Sequence, residues 1–190
     1  MRLAEYKDKG LVVSILMTSF KNDPHVNFLL EFSKNKNKLK AIMEYVFEES
    51  LNKGEIYIND NNTAVVLWNT KSSEPVNLSF IFRNLLFLFR NGISTTRRVL
   101  KMDKLIHEKH PSDGNFVHLY LIGVLPEYQG NGYARQLVQL MIDKHKNTGK
   151  LMCLETSNLR NIEIYKKMGF EISNTVIHND HKIFCMNRKL

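Results

Sequence analysis

Apolar residues recur along this chain in two rhythms, one helical and one alternating, and the switches between them mark out its elements. Leu11-Val12-Val13-Ser14-Ile15-Leu16-Met17 predicts a helix reaching about Phe20, stopped by the turn Asn22-Asp23-Pro24-His25. A second helix is predicted from about Lys36 to Leu51, with Leu39, Ile42, Met43, Val46 and Phe47 on one face. Glu55–Ile58 and Thr63–Trp68 read as strands around the polar turn Asn59-Asp60-Asn61-Asn62, a hairpin signal. Helical stretches follow at about Ser79–Phe89 and Thr95–Lys109. Their aromatics Phe80, Phe82, Phe87 and Phe89 are expected in the core.

The second half is more regular. The apolar run Phe116–Val124 predicts a strand, and a helix begins near Tyr133 with Ala134, Leu137, Val138, Met141 and Ile142 on its inner face. Strand Lys150–Thr156, a short helix Leu159–Met168, strand Phe170–His178, the turn Asn179-Asp180 and strand Lys182–Arg188 complete the chain. The order is α-α-β-β-α-α-β-α-β-α-β-β, an α/β domain with a mixed sheet. Two evident hairpins argue against a doubly wound fold.

Between strand 116–124 and the helix from Tyr133 lies Gln129-Gly130-Asn131-Gly132. A glycine-bearing turn opening a helix aims unpaired backbone N–H groups at one point, and the helix dipole adds positive potential there. Such a turn suits a phosphate. The dinucleotide fingerprint is absent, because Arg135 stands where its third glycine belongs, and no Gly-Lys-Ser/Thr loop is present. On these residues alone a purely structural turn remains open.

Composition bounds the rest. With 190 residues, 43% hydrophobic, the chain suits one domain spanning 1–190. No apolar run is long enough to cross a bilayer, and the first residues carry no apolar leader, so a cytoplasmic chain with no membrane association is expected. Cys153 and Cys185 both fall in apolar strands and read as reduced core thiols. The net charge is +8. Residues 1–60 are balanced at nine basic and nine acidic groups, whereas 61–120 hold eight against four and 121–190 hold ten against six. The positive excess therefore accompanies the glycine turn, which suits a polyphosphate, nucleic acid or simply solvent. No aromatic-basic module supports nucleic acid. Lys34, Lys36, Lys38 and Lys40 read as an exposed stretch.

Gln129-x-x-Gly132-x-Ala134 after Val124-x-Pro126 resembles the acyl-CoA signature of the GNAT superfamily of N-acyltransferases. Leu154-Glu155-Thr156-Ser157-Asn158 through Tyr165-x-x-x-Gly169-Phe170 resembles the second half of the same superfamily, and its Arg160-Asn161 is similar to the branch containing puromycin N-acetyltransferase. The resemblance implies a single GNAT-like domain with a mixed, mostly antiparallel twisted sheet flanked by helices. It also implies a CoA-binding half at about 115–170 and an acceptor side formed mainly by 18–110 and 171–190. Acetyl-CoA is the implied co-substrate, with no metal and a small-molecule or peptide amine as acceptor. The chain is expected to act as monomer or homodimer.

The resemblance further implies residue roles. The amides of Gln129, Gly130, Asn131, Gly132, Tyr133, Ala134 and Arg135 would hold the pyrophosphate, and Ile122, Gly123 and Val124 would pair with the pantetheine arm. Asn158 and Asn161 are further CoA contacts, although Asn158 is equally suited to capping the next helix. Gly123 also suits tight packing beneath a helix. Tyr165 would be the general acid on the leaving sulfur, or else a core aromatic. Glu155 is the expected base, its pKa raised by burial, with His118 as a rival. Trp68 and His118 are expected at the acceptor pocket. No cysteine nucleophile is evident, so direct attack of the amine is expected. An acyl-CoA sensor with little turnover is the alternative.

Overall fold

The computed structural model describes residues 1–32, 35–71, 76–111 and 113–190. Lys34 of the alternating lysine stretch lies outside them. A short strand β1 (Arg2–Leu3) leads into α1 (Lys9–Ser19). The expected stop at Asn22–His25 is in fact the start of a further helix, α2 (Pro24–Leu29). Asp23 caps it, accepting from the amides of His25 and Val26, and Pro24 occupies the first turn, where its missing N–H costs nothing.

Helix α3 (Lys36–Lys53) is capped by Asn35 and buries Leu39, Ile42, Met43, Val46 and Phe47. The hairpin of β2 (Gly54–Ile58) and β3 (Ala64–Asn69) is closed by Asn59, whose carboxamide accepts from the amides of Thr63 and Ala64 at 2.8 and 2.9 Å. The two helices expected next are limbs of one long helix, α4 (Leu78–His107), broken at Gly92, whose φ of 78° is not helical. Then come β4 (Phe116–Val124), α5 (Tyr133–Lys144), β5 (Leu151–Thr156), α6 (Leu159–Lys166), β6 (Glu171–His178) and β7 (His181–Lys189).

The seven strands form one sheet in the order β1-β2-β3-β4-β5-β7-β6, antiparallel except for the parallel pair β4–β5. Alternation along β3 separates two cores. Val65 and Leu67 face α1 and α3, whereas Ala64, Val66 and Trp68 face α5 and α6. On α5, Leu137, Val138 and Met141 are fully buried, each stabilising the fold by about 2 kcal/mol. A smaller cluster of Phe28, Leu29, Met102, Val176, Ile183 and Cys185 ties α2 and α4 to the last hairpin.

One register shift positions the site. Leu67 pairs with Leu121 but Trp68 pairs with Leu119, leaving Tyr120 as the extra residue of a bulge on β4. Pairing of β4 with β5 stops at Leu119–Leu154. Beyond that point β5 stays with β7, and the edge of β4 from Tyr120 to Val124 has no strand partner on that side among the described residues.

Candidate active site

The splay between β4 and β5 opens into a cavity of about 340 Å³ lined by strand ends, α6 and the C-terminal limb of α4. The glycine turn follows the end of β4 and opens α5. Gly130 and Gly132 adopt φ of 86° and 79°, the left-handed region, and a Cβ on either would meet nothing within 4 Å. Gly132 is the N-cap of α5 without a side-chain cap, and the first bond of that end is Gln136 N–H to the Gly132 carbonyl. The amides from Gly130 to Arg135 therefore have no partner among the described residues. Open space in front of unpaired amides at a helix start fits a pyrophosphate.

In the cavity, near the end of β5, stands Glu155, whose carboxylate accepts from two imidazoles. His118 Nε2 donates to Oε2 at 2.7 Å and His110 Nε2 to Oε1 at 2.8 Å. His118 comes from β4, and His110 follows the end of α4. Burial alone would raise the Glu155 carboxyl, but the charge of His118 and the hydrogen bonds from both imidazoles outweigh it and hold it down at about 2. Glu155 is thus a fixed anion. This corrects the expectation of a raised pKa, and with it the assignment of Glu155 as the proton acceptor.

Tyr165 lines the same cavity from α6. The Tyr-x-x-x-Gly-Phe segment fixes it through backbone geometry. Gly169 turns with φ 82°, and the amides of Met168 and Phe170 return to the Tyr165 carbonyl at 2.9 and 3.1 Å. Phe170 then packs edge-on against the Tyr165 ring. Burial, and secondarily the Asp23 and Glu155 charges, push the phenol pKa up, so it stays protonated.

Residues 100–170, which hold the glycine turn, the splay and Tyr165, match the Acetyltransferase (GNAT) family. That segment is similar to GNAT acetyltransferases. An uncharacterized N-acetyltransferase of Schizosaccharomyces pombe is 24% identical over 179 residues, covering 87% of this chain and 72% of the relative. The fold is similar to a Corynebacterium glutamicum structure described as histone acetyltransferase HPA2 and related acetyltransferase. The TM-score is 0.72 at 19% identity, over 98% and 93% of the two chains. It is also similar to arylalkylamine N-acetyltransferase 2 of Aedes aegypti, with TM-score 0.68, 13% identity, and 99% and 97% covered.

The remaining predicted residues divide clearly. Ile122 and Asn161 line the cavity with Glu155, His118 and Tyr165. Gly123 faces α1, where an added Cβ would lie 3.1 Å from Ser19 Oγ and 3.2 Å from Leu16 Cδ2, so helix packing accounts for its small size. Val124 packs on the α5 side, and its carbonyl accepts from Gln129 Nε2 at 3.1 Å. Asn131 Nδ2 donates to the Tyr128 carbonyl, and the Tyr133 hydroxyl accepts from Asn61. Ala134 and Arg135 lie in the first turn of α5, with Arg135 exposed. Asn158 caps α6 through the Arg160 amide.

Trp68 does not line the cavity. Alternation along β3 puts it on the α5 face with Ala64 and Val66, where it is fully buried in the second core. Sequence reasoning also missed three cavity residues. His107-Glu108-Lys109-His110 has histidines at i and i+3, not the spacing of a zinc-protease helix, yet the fold delivers His110 to Glu155. His25 lines the cavity and stacks on His181 beside it, with Nδ1 and Nε2 3.0 Å apart. Burial, then the His181 charge, lowers His25 to about 4. Asp103 lines the cavity beside Glu49, and burial raises its pKa. His110, His118 and Glu155 have donor atoms within 4.8 Å of one another, a spacing that a metal could use. Both carboxylate oxygens, however, already accept from imidazoles.

Proposed function

We propose that this protein transfers an acetyl group from acetyl-CoA to a primary amine by direct attack, with both substrates bound together. The observation that carries this reading is the Glu155 relay on one side of the splay and a protonated Tyr165 in the same cavity. Acetyl-CoA supplies a thioester-activated acyl group. The amides of Gly130 to Arg135 would hold its pyrophosphate, and the open edge of β4 at Ile122–Val124 its pantetheine arm.

The chain's own groups then handle two protons. Glu155 accepts from His118 Nε2, which fixes that nitrogen as the protonated one and leaves Nδ1 with the lone pair. His118 is therefore the proton acceptor for the attacking amine, and the Glu155 anion stabilises the imidazolium that results. His110 holds the other carboxylate oxygen and keeps the carboxylate in place. As the new C–N bond forms and the C–S bond breaks, Tyr165 donates its phenolic proton to the departing sulfur. Burial pushes Cys153 and Cys185 up to about 12, so neither offers a thiolate for a covalent acyl-enzyme.

The acceptor enters between α2, the C-terminal limb of α4 and β7. Structural neighbours named as arylalkylamine N-acetyltransferases put arylalkylamines first in an amine panel, and the Arg160-Asn161 pair adds puromycin as a puromycin-branch substrate. Polyamines and peptide amines complete it. The buried free cysteines fit a cytoplasmic compartment. The test is thiol release with acetyl-CoA and each amine, analysed as initial rates at varied concentrations of both. Intersecting lines are expected, together with loss of release in His118→Ala. Parallel lines refute direct attack. CoA binding without release from any amine refutes the reaction.

A further inference from the structure

The N-terminal limb of α4 is built inside out. Arg83, Asn84 and Asn91 face the protein with Phe87. Arg83 stacks over the rings of Tyr45 and Phe80, Asn84 accepts from the Tyr45 hydroxyl at 3.1 Å, and Asn91 donates to the Phe87 carbonyl. Leu78, Phe82, Leu85 and Phe89, spaced four, three and four apart, form one stripe pointing away. Leu78, Phe82 and Phe89 are 85%, 68% and 88% exposed, and Ile81 and Ile93 flank them. Phe82 and Phe89 thus depart from the core placement expected of them. No charged residue interrupts the stripe, and a contiguous apolar surface of this kind needs an occupant.

We propose that this stripe docks the protein on an anionic lipid bilayer, with the limb lying flat at the headgroup level. The second limb supplies the charge complement. Its exposed Arg97, Lys101 and Lys104 make no ion pair among the described residues, and the whole chain carries +8. An apolar face beside a cationic one is the pattern of helices that lie in a membrane surface. A second copy would bring the same cations and another +8 against these, whereas anionic headgroups neutralise them. No helix among the described residues is long and apolar enough to cross the bilayer. Docking therefore replaces the expectation of no membrane contact with a peripheral one. It is independent of the proposed chemistry, because Leu78, Phe82 and Phe89 line neither cavity.

The test is co-sedimentation of the full chain with phosphatidylcholine vesicles, with and without phosphatidylserine. Binding to the anionic vesicles alone is expected. The double variant Phe82→Gln/Phe89→Gln should bind about tenfold more weakly or worse. Arg97→Glu/Lys101→Glu should bind roughly fivefold more weakly for each cation removed. Both variants should keep the wild-type thermal midpoint and CoA release. The proposal is overturned if the wild type does not sediment with anionic vesicles, or if the apolar variant binds as well as wild type. It is also overturned, in favour of a second copy, if light scattering shows a dimer that Phe82→Gln/Phe89→Gln dissociates without any vesicle binding.

Discussion

Replacing Glu155 with glutamine removes the charge that both imidazoles contact and keeps the shape of the side chain. In the wild type the carboxyl titrates at about 2 instead of 4.5, and its side chain is only 12% exposed. At about 1.4 kcal/mol per pH unit, that difference corresponds to about 3 kcal/mol of folding stability. Because the folded-state pKa is the lower one, the contribution is complete above pH 5. It then declines as pH falls through 4.5 and is gone below 2. Between pH 6 and pH 3 the wild type should lose about 2 kcal/mol through this group alone. Glu155→Gln has nothing to lose there. Urea midpoints measured for both proteins across that range read the effect of the carboxylate together with its two imidazoles, since titrating groups that do not touch Glu155 cancel in the difference. The two curves should converge as the solution is acidified. Parallel curves would refute the ion-paired carboxylate and return Glu155 to the role of an ordinary buried acid. The same variant should lose about tenfold to a hundredfold in kcat, because a neutral amide stabilises an imidazolium less than a carboxylate does.

Other substitutions separate chemistry from packing. Tyr165→Phe keeps the ring against Phe170 and should lower kcat about a hundredfold with the thermal midpoint little changed, read from CoA release and a melting curve. Gly132→Ala places a Cβ at φ 79° and should cost about 1 kcal/mol of stability while raising the KM for acetyl-CoA about tenfold. Gly123→Ala should act through α1 instead, destabilising by about 1–3 kcal/mol in urea as its Cβ meets Ser19 and Leu16, and a KM change larger than the stability loss would contradict that packing account.

Local signals were legible in the sequence because the chemistry they serve is local. The glycine turn, the strand before it and Tyr-x-x-x-Gly-Phe each need a backbone conformation fixed within a few residues, and their side-chain types state it. Residues brought together through the sheet were not legible. His118 meets Glu155 only because β4 and β5 pair in parallel for four residues, and no spacing along the chain encodes that register. Trp68 faces away from the cleft because it shares the α5 side of β3 with Ala64 and Val66, and the alternation of its own strand does not say which side of the sheet opens into the cleft. For α4, periodicity reveals that one face is apolar but does not say which face turns inward. Burial alone gives the wrong sign for the Glu155 pKa, since it omits two partners that arrive from distant segments.

The arrangement of the relay bears on how the chain acquires activity as it folds. Hairpins such as β2–β3 close over short loops, whereas the β4–β5 pair must wait for the chain from 125 to 150, including α5, to cross over the sheet. His110 and His118 lie before that crossover and Glu155 after it. Regain of catalysis during refolding therefore reports a late, long-range event, and it should lag behind the helical signal that α1, α3 and α5 recover on their own.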